Sequence, residues 1–103
     1  MFIRVDVAQS DKIIVNLNGK DRNRFLLVRI SLVSRQDGFV ARLNESRERL
    51  FDVAVGSLSA KALEDLNRTG FRTLLKSELR DLFNHMFGET AIQEVVIHDM
   101  VIQ

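Results

Sequence analysis

No cysteine, proline, tryptophan or tyrosine occurs among the 103 residues of this chain. The absence of cysteine excludes disulfides, thiolate zinc sites and cysteine nucleophiles, and fits either cytoplasm or periplasm. A domain of this length must then be held by its hydrophobic core alone. With no proline, only glycine and polar clusters can punctuate the elements. The five glycines, Gly19, Gly38, Gly56, Gly70 and Gly88, stand isolated near expected element boundaries. No glycine-rich phosphate loop can be assembled from them. No apolar run approaches the roughly 20 residues that span a bilayer. The first residues also lack the apolar stretch of a signal peptide.

What is present describes a globular domain. Hydrophobic residues make up 46% and charged residues 28% of the chain, which argues against both a membrane-embedded and a disordered protein. The net charge of +1 exerts no global pull on nucleic acid. Its distribution is uneven. Residues 20–49 hold eight Lys/Arg against four Asp/Glu, a balance of +4. Residues 88–103 hold Glu89, Glu94 and Asp99 with no cation, a balance of −3. Opposite signs on separate segments suggest head-to-tail contacts between subunits, with Arg22, Arg24, Arg47 and Arg49 facing Glu89, Glu94 and Asp99.

Hydrophobic periodicity divides the single domain, residues 1–103. Residues 12–17 form a β-branched run that predicts a strand. Residues 2–7 alternate weakly and read as a further strand or a leading arm. A polar turn over 18–24 favours a hairpin into residues 25–33. There Leu26, Val28, Ile30 and Leu32 share one face, the pattern of a half-buried antiparallel strand. Beyond Gly38 the period lengthens to that of a helix carrying Phe39, Val40, Leu43, Leu50, Phe51, Ala54 and Leu58, ended by Gly56-Ser57. Ser59 is expected to cap a short helix with Leu63 and Leu66, and Thr69 to cap the next. Residues 70–87 carry one apolar stripe of Phe71, Leu74, Leu75, Leu79, Leu82, Phe83, Met86 and Phe87, closed by Gly88. A last strand covers residues 92–102. The order β-β-α-α-β predicts an α+β fold, a small antiparallel sheet with helices packed on it.

The closing segment EVVIHDMVIQ is apolar on both faces of an ideal strand. Such a strand is covered on both sides or lies inside a sheet. It is therefore expected to pair with an early strand, with its second face covered by the helices or a neighbouring subunit. An exposed strand of this kind would template aggregation.

Candidate chemistry is sparse. His85 and His98 have no His-x₃-His or Glu-x-x-His spacing to make a metal site, and read as structural. Ser57 and Ser59 lack a nucleophile elbow and sit where capping hydroxyls are expected. The basic run Lys20-Asp21-Arg22-Asn23-Arg24 beside Phe25 could hold a single strand of nucleic acid. Without tryptophan or tyrosine to stack bases, a charged hairpin turn is the better reading. No catalysis, cofactor, metal or nucleic-acid partner is expected.

The specific letters go further than the pattern. Val15-Asn16-Leu17, the apolar positions of FLLVRISL, Leu58-Ser59 and Leu66 occur in order, followed by Gly70-Phe71-Arg72-Thr73-Leu74-Leu75-Lys76-Ser77-Glu78-Leu79, Leu82-Phe83-Asn84 and the terminal VVIHDMVIQ. This order resembles the extracytoplasmic domain of the flagellar basal-body-associated protein FliL family. Its members read vNL, then a Gly-x-x-x-Leu-(Lys/Arg)-x-Glu helix ending near Asn, then a strand closing on VIQ. Val95, Asp99, Val101, Ile102 and Gln103 match the terminus. Ile97, His98 and Met100 stand where the family has Phe, Thr and Phe, as in a divergent or FliL-like member. The motif positions are Asn16, Leu17, Leu58, Ser59, Gly70, Leu74, Asn84, Val95, Val101, Ile102 and Gln103.

The resemblance implies a fold similar to the stomatin-type (SPFH) domain, at the periplasmic face of the bacterial inner membrane. It implies an N-terminal membrane helix or signal peptide beyond this chain, and assembly into ring-like homo-oligomers. It further implies association with the MotA/MotB stator units and the basal body, and non-enzymatic support of motor rotation or stator retention. The alternatives are a generic membrane-associated stomatin-like scaffold and a small nucleic-acid-binding module.

Overall fold

The alternating segment Leu26–Leu32 organises the rest of the molecule. In the computed structural model, which describes residues 2–6, 13–18, 23–61, 63–66, 68–88 and 91–103, it is the middle of the twelve-residue strand β3 (Asn23–Ser34). At about 3.3 Å per residue this strand runs about 40 Å, close to the molecule's longest dimension of 46 Å. Strands β1 (Ile3–Asp6) and β2 (Ile13–Asn18) pair antiparallel with opposite ends of β3. The last strand, β4 (Glu94–Ile102), pairs antiparallel along residues 26–33 of β3. Because a strand has two edges and β4 overlaps both early strands, β1 and β2 lie end to end on one edge of β3. β4 takes the other. The expected pairing of the terminal strand with an early one is observed, and the weakly alternating residues 2–7 contribute a true strand.

Four helices connect β3 to β4: α1 (Phe39–Glu45), α2 (Arg47–Ser59), the short α3 (Leu63–Leu66) and α4 (Phe71–Phe87). They pack on one face of the sheet, α2 against β2 and α4 against β4, with α2 and α4 in mutual contact. The core between the layers is built from Ile13, Val15 and Leu17 of β2 and Leu26, Val28, Ile30 and Leu32 of β3. The helices contribute Phe39, Leu43, Leu50, Leu58, Leu75, Leu79 and Phe83. This is the expected α+β class.

The helical segment differs from its sequence expectation in where it breaks. One helix was expected from Phe39 to Gly56-Ser57; the chain instead breaks at Ser46 and continues to Ser59. Gly56 is exposed, with nothing within 4 Å of the site a Cβ would occupy. There its cost to the helix, about 1 kcal/mol relative to Ala, is offset by burial of Leu50, Ala54 and Leu58. The expected capping serines are also used otherwise. Ser59 lies in the last turn of α2 and its hydroxyl donates to the carbonyl of Gly56 at 3.2 Å. Ser57 donates to Glu78 Oε1 on α4 at 3.1 Å. Gly70, not Thr69, occupies the N-cap of α4 and makes no side-chain cap bond.

α4 buries Phe71, Leu75, Leu79, Phe83 and Phe87, a spacing of four that keeps one narrow face on the sheet. Leu74 and Leu82, expected within that stripe, are 67% and 37% exposed, since positions one before the buried row lie about 100° around the helix. Gly88 ends the helix with φ 109 and ψ 152, and its N–H bonds to the carbonyl of Asn84. That backbone conformation is accessible essentially to glycine alone.

Candidate interaction surfaces

The terminal strand resolves its own two-faced pattern by a register shift. Ile97 stands opposite Ile30 and Asp99 opposite Arg29, so His98 is an extra residue in the ladder. Such a β-bulge inverts the alternation beyond it. Val95 and Ile97 enter the core on one side of the bulge, and Met100 and Ile102 pack on the same core from the other. The second face of the strand keeps only Val96 and Val101, on either side of the polar pair His98-Asp99, instead of the continuous apolar face expected from ideal alternation. The sequence carried a signal for this: the polar pair His98-Asp99 separates two apolar alternations that are out of phase. The bulge is held in place by His98 Nε2 and the hydroxyl of the buried Ser31, 2.7 Å apart, and by the Arg29–Asp99 ion pair at 3.3 Å.

The face of the sheet away from the helices carries a short apolar row. Ile14, Leu27 and Val101 are consecutive partners across β2, β3 and β4; Ile14 and Val101 are 61% and 50% exposed. Phe25, 43% exposed, lies next along β3 between Asn16 and Gln103. The backbones of Phe25 and Gln103 exchange two hydrogen bonds of 2.8 Å, which tie down the chain's last residue.

Two grooves flank α4. One, of about 290 Å³, lies between its first turns and the α2–α3 region, lined by Lys61, Asp65, Arg68, Phe71, Leu74 and Glu78 among others. Lys61 Nζ and Ser57 both reach Glu78 there, with a Lys61–Glu78 separation of 2.6 Å. The other, of about 250 Å³, runs between α4 and the start of β4, lined by Thr73, Lys76, Ser77, Arg80, Gln93, Glu94 and Val95.

The residues singled out from sequence scatter over these features. Leu17, Leu58 and Val95 are core, Asn16 and Ser59 are exposed, and Ile102 is half-buried. Asn84 accepts from the N–H of Ile92 at 2.7 Å and donates to the Ile92 carbonyl at 3.2 Å, so its side chain imitates a backbone partner for the turn into β4. The basic segment and the acidic terminus, expected to meet between subunits, already lie side by side within one chain. Arg29 pairs with Asp99, and Arg24 Nε donates to the Gln103 carbonyl at 3.3 Å. Arg47 donates to Asn44 Oδ1 at 2.8 Å, while Arg49 and Glu94 are exposed. Arg22 and Glu89, and most of the basic turn before Phe25, lie outside the described residues. Sequence reasoning missed the Lys61–Glu78 contact, because Lys61 lies in the loop between α2 and α3 and Glu78 on α4, 17 positions on.

Among the described residues no group of three or more His, Asp or Glu side chains is placed to hold a metal ion, and no helix is long and apolar enough to cross a membrane. The family model described as flagellar basal body-associated protein FliL matches residues 7–103. No curated protein matches the chain. Since the family match spans nearly all of the sequence, the chain belongs to that family.

Proposed function

We propose that this member of the FliL family is an accessory of the flagellar motor that acts by binding rather than by catalysis. It associates with the MotA/MotB stator units beside the basal body and supports rotation or stator retention. The domain works on the periplasmic face of the inner membrane, tethered by a segment preceding it, as a ring-like homo-oligomer with a stomatin-type architecture. The observation that carries this reading is the family match over residues 7–103. The one-sided packing of the sheet adds support, because the row Ile14–Leu27–Val101 and the exposed Leu74 offer apolar contact area to partners.

Motility of a strain lacking the gene tests the reading directly. Swimming speed and the number of fluorescently tagged stator units per motor are expected to fall, and to recover on complementation with the whole gene. Unchanged torque and stator occupancy under high viscous load would overturn it.

A further inference from the structure

The free edge of β4 and the side of α4 above it form a second kind of surface. Among the described residues β4 pairs with β3 only. The doubly hydrogen-bonded pair Phe25–Gln103 sets the phase of that ladder. In an antiparallel ladder the hydrogen-bonding direction alternates residue by residue, so the N–H and C=O groups of Met100 and Ile102 and, on the other side of the bulge, those of Val95 and Ile97 beside the α4 groove point away from β3, to the open edge. A row of unpaired backbone groups is a template for a further strand.

The helix above that edge is charged in one sense. Arg72, Lys76 and Arg80 recur every four residues along α4, and none makes an ion pair among the described residues. They lie one residue beyond the buried row Phe71–Leu75–Leu79. Glu78, one residue before that row, faces α2 through Ser57 and Lys61. The cations therefore occupy the opposite flank, over β4, where Lys76 and Arg80 line the groove together with the hydroxyl-bearing Thr73 and Ser77. Like charges spaced by four on a helix destabilise it by about 0.2–0.5 kcal/mol per pair. Among the described residues no carboxylate pairs with this stripe, and Glu94 is the single acidic residue lining the groove.

We infer that this edge accepts an extended acidic segment of a partner protein, which adds as a strand to β4 while its carboxylates reach Lys76 and Arg80. The backbone edge selects an extended peptide, and the cations select its charge. This goes beyond the motor reading, since it assigns a ligand chemistry to one edge whatever protein carries the segment.

The test uses the whole chain and a blocked peptide of alternating Glu and Val as probe. Comparison probes are the same peptide with Lys for Glu, the peptide with alternate backbone nitrogens methylated, and vesicles containing phosphatidylglycerol. Saturable binding of the acidic peptide is expected at or below the order of 1 mM, with slowed hydrogen exchange at the outward amides of Val95 and Ile97 beside the groove and of Met100 and Ile102 beyond the bulge. The double variant Lys76→Glu/Arg80→Glu, at one half-buried and one exposed position and folded by circular dichroism, should bind at least about tenfold more weakly. A single Arg80→Gln variant supplies the same readout should the double variant fail to fold. Equal binding of the methylated or the Lys peptide would overturn the inference. So would unchanged affinity of the charge variants, or vesicle binding through these cations with no peptide binding.

Discussion

Ile97 faces Ile30 across the β3–β4 ladder while Asp99, two positions on, faces Arg29, the very next residue of β3. The single extra residue between them, His98, lets one continuous strand place Val95, Ile97, Met100 and Ile102 on one core.

Deleting His98 should therefore leave a regular strand with every core residue still inward. The variant is expected to fold cooperatively, losing about 1 kcal/mol with the Ser31 contact. Deleting Val96 instead would turn Ile97 outward and His98 into the core. Thermal melts should show the second deletion far less stable than the first; equal stabilities would show that the bulge does not set the facing of β4.

Charge placed on β4 should be tolerated according to the face it meets. Ile97→Asp puts a carboxylate into a site 6% exposed, at a cost on the order of 4 kcal/mol or more. Val101→Asp falls on the outer face at 50% exposure and should cost about 1 kcal/mol. Val101 is thus not the core position that an ideal alternation of the terminal strand makes it. Urea denaturation of the two variants provides the comparison.

Asn84 offers one donor and one acceptor to Ile92, and both are used. Asn84→Ala should lose about 1–3 kcal/mol. Asn84→Asp should be worse at neutral pH, because a carboxylate facing the Ile92 carbonyl cannot donate. Protonation restores a donor, so that variant alone should gain stability relative to the parent as pH falls through the carboxyl's titration. A pH series of chemical denaturation measures it.

Alanine at Gly88 meets nothing within 4 Å, so its whole cost is backbone strain. At φ 109 and ψ 152 that should be about 1–3 kcal/mol. Gly70, at φ 82 and ψ 0, lies near the left-handed helical region, where alanine costs about 1–2 kcal/mol and asparagine less. The order Gly88→Ala, then Gly70→Ala, then Gly70→Asn, from most to least destabilising, is the result expected from calorimetry.

The Lys61–Glu78 pair, half-exposed and shared with Ser57, should show a coupling of about 0.2–1 kcal/mol in a double-mutant cycle. A coupling that vanishes would leave the Ser57–Glu78 hydrogen bond as the polar contact of Glu78 that matters to stability.

The sequence by itself determined the elements whose pattern is local. Leu26, Val28, Ile30 and Leu32 alternate because a pleated strand has period two. Phe71 to Phe87 repeat every four because one helix face meets the sheet. The ordered motifs from Val15-Asn16-Leu17 to Val101-Ile102-Gln103 sufficed to point to the family. Tertiary structure alone decided what depends on a partner distant in sequence. Ser57 and Ser59 look like caps of the next helix until α2 is seen to continue to Ser59, with Ser57 turned to Glu78. Arg29 and Asp99 look like opposite ends of a charge asymmetry until β3 and β4 pair. Leu74 and Leu82 read as core until the buried face of α4 narrows to a single row. His98 looks like one more strand residue, and only its lack of a place opposite Arg29 and Ile30 reveals the bulge. Periodicity is written into each segment by backbone geometry, whereas register is a relation between two segments, fixed by which pairing buries the most apolar surface.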